Sequence, residues 1–200
     1  MTQFVYLASQ SPRRRQLLGQ LGIVHELLLP GADEDAEALE AVHAGELPES
    51  YCARVTSAKL DAALARLAAR GLPQAPILCA DTTVAVGGLI LGKPADEADA
   101  HRMLALLSAR THRVVTAVAV ADANRRTAVL NVSEVEFAPL SPVQIDRYVA
   151  SREPFGKAGG YAIQSQAAAW IVKIAGSYTG IMGLPLFETA ALLEQFGFEF

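Results

Sequence analysis

The apolar run Phe4 to Ala8 gives way, after the polar stretch Ser9 to Pro12, to apolar residues at Leu17, Leu18 and Leu21. That change from a continuous run to helical spacing predicts strand, loop, helix. Val24 to Leu29 predicts a second strand, which leads into an acidic loop from Gly31 to Pro48. Tyr51 to Ala69 is rich in alanine and free of glycine and proline, which predicts a helix that Pro73 and Pro76 close. Ile77 to Val86 and Leu89 to Leu91, separated by Gly87-Gly88, read as two strands joined by a glycine turn. Asp96 to Leu107 predicts a helix, and His112 to Ala121 with Thr127 to Phe137 predict two strands around the polar turn Asp122 to Arg126. Ser141 to Ala150 predicts a helix capped by Ser141, with Pro142 at its first position. After the glycine-rich loop Gly156 to Gly160, the segment Tyr161 to Ile174 is apolar and β-prone, interrupted by polar residues from Gln164 to Gln166. Leu184 to Phe196 predicts a last helix that ends at Gly197. Strands and helices alternate without internal repeats, so the expected class is α/β with a mixed sheet, in one compact unit over residues 1–200.

Composition narrows the partners. A net charge of -4, with charged residues at 19%, argues against a binder of nucleic acid polymers, so any site for a phosphorylated ligand must be basic only locally. No stretch approaches the roughly 18 apolar residues of a membrane span. Arg13, Arg14 and Arg15 follow the first apolar run rather than precede it, the reverse of a secretory signal, and the expected location is the cytoplasm without a membrane partner. Cys52 and Cys79 form no CxxC pair, and His25, His43, His101 and His112 show no ligand spacing. The cysteines are expected as small buried hydrophobes and the histidines are assigned no chemistry.

Five stretches bear on chemistry. Ser11 as N-cap and Pro12 as first helical residue put Arg13, Arg14 and Arg15 in the first turn, where the helix dipole disfavours cations. Guanidinium groups and free backbone N–H groups at one helix end make a receptor for phosphates. Asp81, in a run of Ile, Leu, Cys, Ala and Val, requires a partner, a metal or a cleft; a buried aspartate that caps a turn is the plain alternative. The loop acids Asp33, Glu34, Asp35 and Glu37 are ordinary solvated groups unless a metal gathers them, and Mg²⁺ in triphosphate chemistry takes one or two such carboxylates. GGLILGK, Gly87 to Lys93, has the outline of a P-loop, but Pro94 stands where the Mg²⁺-holding hydroxyl belongs, so a hairpin with Lys93 free to reach a phosphate is the better reading. GKAGGYAIQ, Gly156 to Gln164, combines a flexible loop with Lys157 and presents Gln164, a donor and acceptor suited to the edge of a nucleobase. Trp170, among alanines and isoleucine, is expected in the core.

Taken together, SQSPRR, the acidic Asp33-Glu34, the helical Lys59, ADTTV, GKP, GKAGGYAIQ and the GLPL that ends at Leu186 resemble the Maf family of nucleotide pyrophosphatases over essentially the whole chain. The resemblance implies an elongated mixed sheet with flanking helices and two lobes around a nucleotide cleft, similar to the inosine triphosphate pyrophosphatases. It implies hydrolysis of a nucleoside triphosphate to monophosphate and pyrophosphate with a divalent cation such as Mg²⁺ or Mn²⁺, a homodimer, and an older link to septum formation. Residue by residue it assigns Asp81 as proton acceptor and, with Glu34, metal ligand, and places Ser9, Arg13, Arg14, Lys59 and Lys93 around the phosphates. Arg13, Thr82 and Gln164 match the positions tied to base choice, and SPRR with YAIQ matches the subgroup that prefers dTTP and UTP. Two departures stand out: Ser165 where glycine is usual, expected to alter a tight turn, and Ser177 to Gly180 without the asparagine often found there, expected to loosen the last loop. The alternatives are a nucleotide-sensing or division-regulating protein without turnover, and a P-loop kinase, which would make a diphosphate.

Overall fold

The computed structural model describes residues 3–32, 34, 35 and 37–200. Its strands are β1 (Val5–Leu7), β2 (His25–Leu27), β3 (Ile77–Val86), β4 (Leu89–Leu91), β5 (Thr111–Ala121), β6 (Arg126–Phe137) and β7 (Ile171–Ala175). They form one seven-stranded mixed sheet of order β2-β1-β3-β5-β6-β7, with β4 beside β3. The first three strands in that order are parallel, and β3, β5, β6 and β7 form an antiparallel meander. Helices α1 (Pro12–Gln20), α2 (Pro48–Ala69), α3 (Glu97–Leu107), α4 (Pro142–Ala150), α5 (Tyr178–Met182) and α6 (Leu186–Glu194) flank it. None of the helices among the described residues is long and apolar enough to cross a membrane.

Local chemistry explains the ends. Ser11 caps α1 by accepting from the Arg14 backbone N–H at 3.4 Å, with Pro12 in the first position. Ser141 and Gln144 form a reciprocal capping box at α4. Gly87 and Gly88 both have positive φ, 56° and 84°, which is what a two-residue hairpin demands, so GGLILGK is a β-turn-β unit and not a phosphate loop.

Alternation along β3 divides the core. Ile77 and Cys79 pack under α2 with Leu60, Ala63 and Leu67. Leu78 and Ala80 leave by the other face into a cluster with Leu17, Leu18 and Leu193. Farther along, Val84 and Val86 join Leu104, Tyr148 and Tyr161 in a cluster beneath α3 and α4. Between these apolar regions lie Asp81, Thr82 and Thr83.

The same stretch interrupts the sheet. β1 reaches β3 only at Ile77 and Leu78, and β4 pairs with it only at Val84, Ala85 and Val86. β5 accompanies β3 without a break from Ile77 to Ala85 on the opposite side. One edge of β3 is therefore open between Leu78 and Val84, and the candidate site occupies this notch.

The structure differs from the sequence pattern in four places. Tyr161 to Ile174 is not an extended strand: a 3₁₀ turn covers Gln166–Trp170, and the strand begins only at Ile171. A buried apolar run has the same composition whether extended or coiled, and here only Ile171 and later residues reach β6 to pair. Gln164 accordingly projects from a turn. Leu184 to Phe196 shortens to Leu186–Glu194, preceded by the separate α5, which Ser177 caps by accepting from the Gly180 N–H at 3.0 Å. Ser177 thus supplies a cap in this loop, which lacks the asparagine. Ser165 has φ -120°, a conformation open to any side chain, so glycine is not required there. Trp170 is half-buried against the α3–α4 cluster and meets Tyr148 edge to face at 5.0 Å.

Candidate active site

A cleft of about 630 Å³ opens at the notch, between the loop after β1 and the loop after β4. Asp81 sits at its floor, 7% exposed. Its side chain takes the α2 face of the sheet, where Lys59 Nζ donates to Oδ1 at 2.6 Å. The same ammonium donates to Glu40 Oε1 at 2.7 Å, and Lys93 Nζ donates to Glu40 Oε2 at 2.8 Å. Asp81, Lys59, Glu40 and Lys93 thus form a line of alternating charge from the sheet to the end of β4. Burial works against the charge on Lys59, but Asp81 and then Glu40 outweigh it and hold the ammonium above its ordinary pKa. For Glu40 burial is again the largest single effect, and the two lysines together overcome it and keep the carboxyl below its usual range.

The opposite wall comes from the loop after β1. Arg14 is tied down on several sides: Nε donates to the Gly183 carbonyl at 2.8 Å, Nη1 to Ser9 Oγ at 3.3 Å and Nη2 to Thr82 Oγ1 at 3.2 Å. This leaves one hydrogen on each terminal nitrogen for a ligand. Ser9, 9% exposed, also accepts from the Ser11 backbone and shapes the turn. Thr82 shares a 2.9 Å hydrogen bond with Thr116, whose hydroxyl donates to the Gly180 carbonyl. Arg13 is half-buried in the cleft and has no ion-pair or hydrogen-bond partner among the described residues. Burial first and the neighbouring Arg14 second lower its pKa. A guanidinium placed in this way is open to an anion.

Glu34 lines the cleft but spends both oxygens on Arg66 of α2, at 2.8 Å from Nε and 2.5 Å from Nη2, and Oε1 also accepts from the Gly31 N–H. The Arg66 hydrogen bonds, then that of Gly31, hold its carboxyl down at about 2. Asp33 lies outside the described residues. The GKAGGY loop closes the cleft opposite α2. Gly159 has φ +69°, and a Cβ there would stand 2.9 Å from the Val84 side chain, so conformation and space both require glycine. Gln164 lines the cleft with an exposed amide. Burial most of all lowers the pKa of Lys157; Glu153 opposes it, and Arg13, near enough for its charge to be felt, lowers it further.

Ser9, Arg13, Arg14, Glu34, Lys59, Asp81, Thr82, Lys93 and Gln164 therefore line one cleft, whereas Arg15, the third arginine of that first turn, is exposed and does not. Sequence reasoning passed over Glu40 and Arg66. Arg66 carried a signal, since it follows Lys59 by two helical turns on an alanine-rich helix and repeats its face. Glu40 carried none that separates it from the other acids of its loop. Cys52 and Cys79 are free and buried, and none of the histidines lines the cleft.

Among the described residues no group of three or more His, Cys, Asp or Glu side chains converges to hold an ion by itself. Asp81 supplies a hard oxygen in the cleft, Oδ2, which has no hydrogen-bond partner among the described residues, whereas both oxygens of Glu40 are held by lysines. This fits Mg²⁺, which keeps several waters and is shared between one or two carboxylates and phosphate oxygens.

An α/β fold whose sheet is interrupted by a cleft, lined by one sunken carboxylate, an arginine without a partner among the described residues and two lysines that share a glutamate, suits a protein that binds an anionic ligand. More particularly, a family model described as "Maf-like protein" matches residues 4–196, and the chain belongs to that family. It is similar to proteins named dTTP/UTP pyrophosphatase: 63% identical to that of Albidiferax ferrireducens over 199 residues, covering 100% of both chains. The Cupriavidus metallidurans protein of that name is 62% identical over 200 residues and 100% of each chain. That of Cupriavidus pinatubonensis is 57% identical over 195 residues, 98% of each.

Proposed function

We propose that this protein hydrolyses dTTP and UTP in the cytoplasm to the nucleoside monophosphate and pyrophosphate, with a divalent cation. The observation that carries the reading is Asp81 at the floor of the notch, paired with Lys59 and surrounded by cations that need an anionic ligand. The names of relatives 57–63% identical over nearly the whole chain support the choice of reaction and base.

In this reading a water attacks the α-phosphorus. Its oxygen bonds to phosphorus, the bond from that phosphorus to the bridging oxygen breaks, and pyrophosphate leaves. Asp81 accepts the water's proton through Oδ2, while Lys59 fixes Oδ1 and orients the carboxylate. Arg13, Lys59 and Lys93 hold the phosphates that become the leaving group, and Arg14, locked by Gly183, Ser9 and Thr82, presents its remaining hydrogens to the same chain. A bound cation would neutralise phosphate charge; Asp81 is the carboxylate placed to hold it, and Glu34 would join only by exchanging Arg66. Gln164 reads the base, matching its carbonyl to N3–H of uracil or thymine and its NH₂ to a ring carbonyl.

The experiment is pyrophosphate release from UTP, dTTP, CTP and GTP with Mg²⁺, Mn²⁺ or chelator, run in ¹⁸O-labelled water. Label in the monophosphate, preference for UTP and dTTP, and silence with chelator are expected. Label confined to pyrophosphate would remove the mechanism, and binding without turnover would leave a nucleotide sensor.

A further inference from the structure

Glu40 is unlike the other acids of its loop. Each of its two oxygens accepts from a different lysine, Oε1 from Lys59 and Oε2 from Lys93, and those lysines come from two separate elements, α2 and the segment after β4. We propose that Glu40 is a positioning residue that sets the spacing of Lys59 and Lys93 for the departing pyrophosphate. The proposal rests on the pyrophosphatase reading above.

The geometry distinguishes a clamp from a placeholder that phosphate would push aside. An ammonium has three donors, so Lys59, bound to Asp81 and Glu40, keeps one, and Lys93 keeps two. Both can bind phosphate oxygens without releasing Glu40. A placeholder would also need a backbone free to withdraw, whereas this one is pinned. Tyr51 Oη donates to the Glu40 carbonyl at 3.0 Å, and Arg54 Nη2 donates to the next carbonyl, that of Ala41, at 2.8 Å. Arg54 is itself held by both oxygens of Glu46, at 2.6 and 2.7 Å. Both anchors stand on α2, the helix that carries Lys59, so carboxylate and lysine share one rigid base.

The clamp matters most for Lys93, whose side chain is 47% exposed and has Glu40 as its ion-pair partner. Free, that long stem would be disordered and repelled by Lys59, and ordering it would fall to the substrate. With Glu40 the two charges are already side by side and facing a site where two linked phosphates fit. Gln164 lies outside this effect, since it touches neither Glu40 nor the two lysines.

The test measures binding of pyrophosphate and, separately, of UMP to the wild type and to Glu40→Gln by calorimetry, with Mg²⁺ titrated. Glutamine keeps the shape but offers one acceptor in place of two. Pyrophosphate affinity should fall about tenfold and UMP affinity stay unchanged. The effect should shrink when Lys93→Ala is already present, since the cycle reports only the coupled part. Glu40→Asp keeps the charge, shortens the reach and should show the same split, which guards against misfolding of the first variant. Tighter pyrophosphate binding would make Glu40 a competitor of phosphate. An equal loss on both ligands, no loss, or a change only in the Mg²⁺ requirement would also overturn the proposal. Failure of the wild type to cleave UTP would instead sink the pyrophosphatase reading.

Discussion

Asp81 and Thr82 are consecutive in β3 and leave the sheet by opposite faces, yet they line the same cleft: Asp81 meets Lys59 of α2, and Thr82 meets Arg14 of α1. A continuous sheet would keep such neighbours apart. Here β1 and β4 both stop short, so one ligand can touch groups from both faces around the open edge of β3.

Asp81→Asn keeps the size of the side chain and removes the proton acceptor. A loss of order 10²-fold or more in kcat is expected, with smaller change in KM. Near-normal kcat in a folded variant would falsify the role.

Gln164→Leu should cost roughly 1–3 kcal/mol, about 5-fold to 150-fold in kcat/KM, on UTP and dTTP alone, because a base edge loses its partner. Equal proportional losses with CTP and GTP would mean that Gln164 reads no base.

Gly159→Ala combines a left-handed φ with a Cβ 2.9 Å from Val84. It should lower unfolding free energy by about 1–3 kcal/mol in urea titrations. Val84→Ala in the same chain should restore part of the loss, the steric share, and leave the backbone share. No recovery at all would place the whole penalty in φ.

The fold was legible where composition and stop signals agree. The Gly87-Gly88 hairpin, the Ser141 cap and the long alanine-rich α2 each follow from residues that leave the backbone little choice. Tyr161 to Ile174 misled because burial, not pairing, explains its apolar character. In the site, the arginines after Pro12 and the aspartate in ADTTV were visible because each violates the preference of its own element. Glu40 violates nothing, and its role exists only through lysines that lie 19 and 53 positions away.

His112 is 1% exposed and hydrogen-bonded through Nε2 to the Tyr161 hydroxyl at 2.7 Å. Burial, partly offset by the backbone at Arg110, pushes its pKa down from 6.5 to about 4. A histidine kept neutral in the fold contributes stability above its unfolded pKa and loses it as pH falls, because the unfolded chain takes up the proton first. Between pH 6.5 and 4 the wild type should lose roughly 3 kcal/mol through this group. The difference between wild type and His112→Gln in unfolding free energy should carry that slope. A difference flat across the interval would show that His112 titrates normally.

Ala8 donates to the Leu78 carbonyl, so by the alternation of a strand the main-chain groups of Ala80 and Thr82 face the same open edge, beyond the reach of either flanking strand. An uncovered edge normally invites another chain to add a strand and seed aggregation. This one lies in the interior of the sheet, closed at one end by β1 and at the other by β4, too short for an intruding strand to gain a register. A molecule as small as a phosphate chain can enter where a peptide cannot. The protein can keep unpaired backbone at its centre, in reach of a ligand, without becoming adhesive to itself.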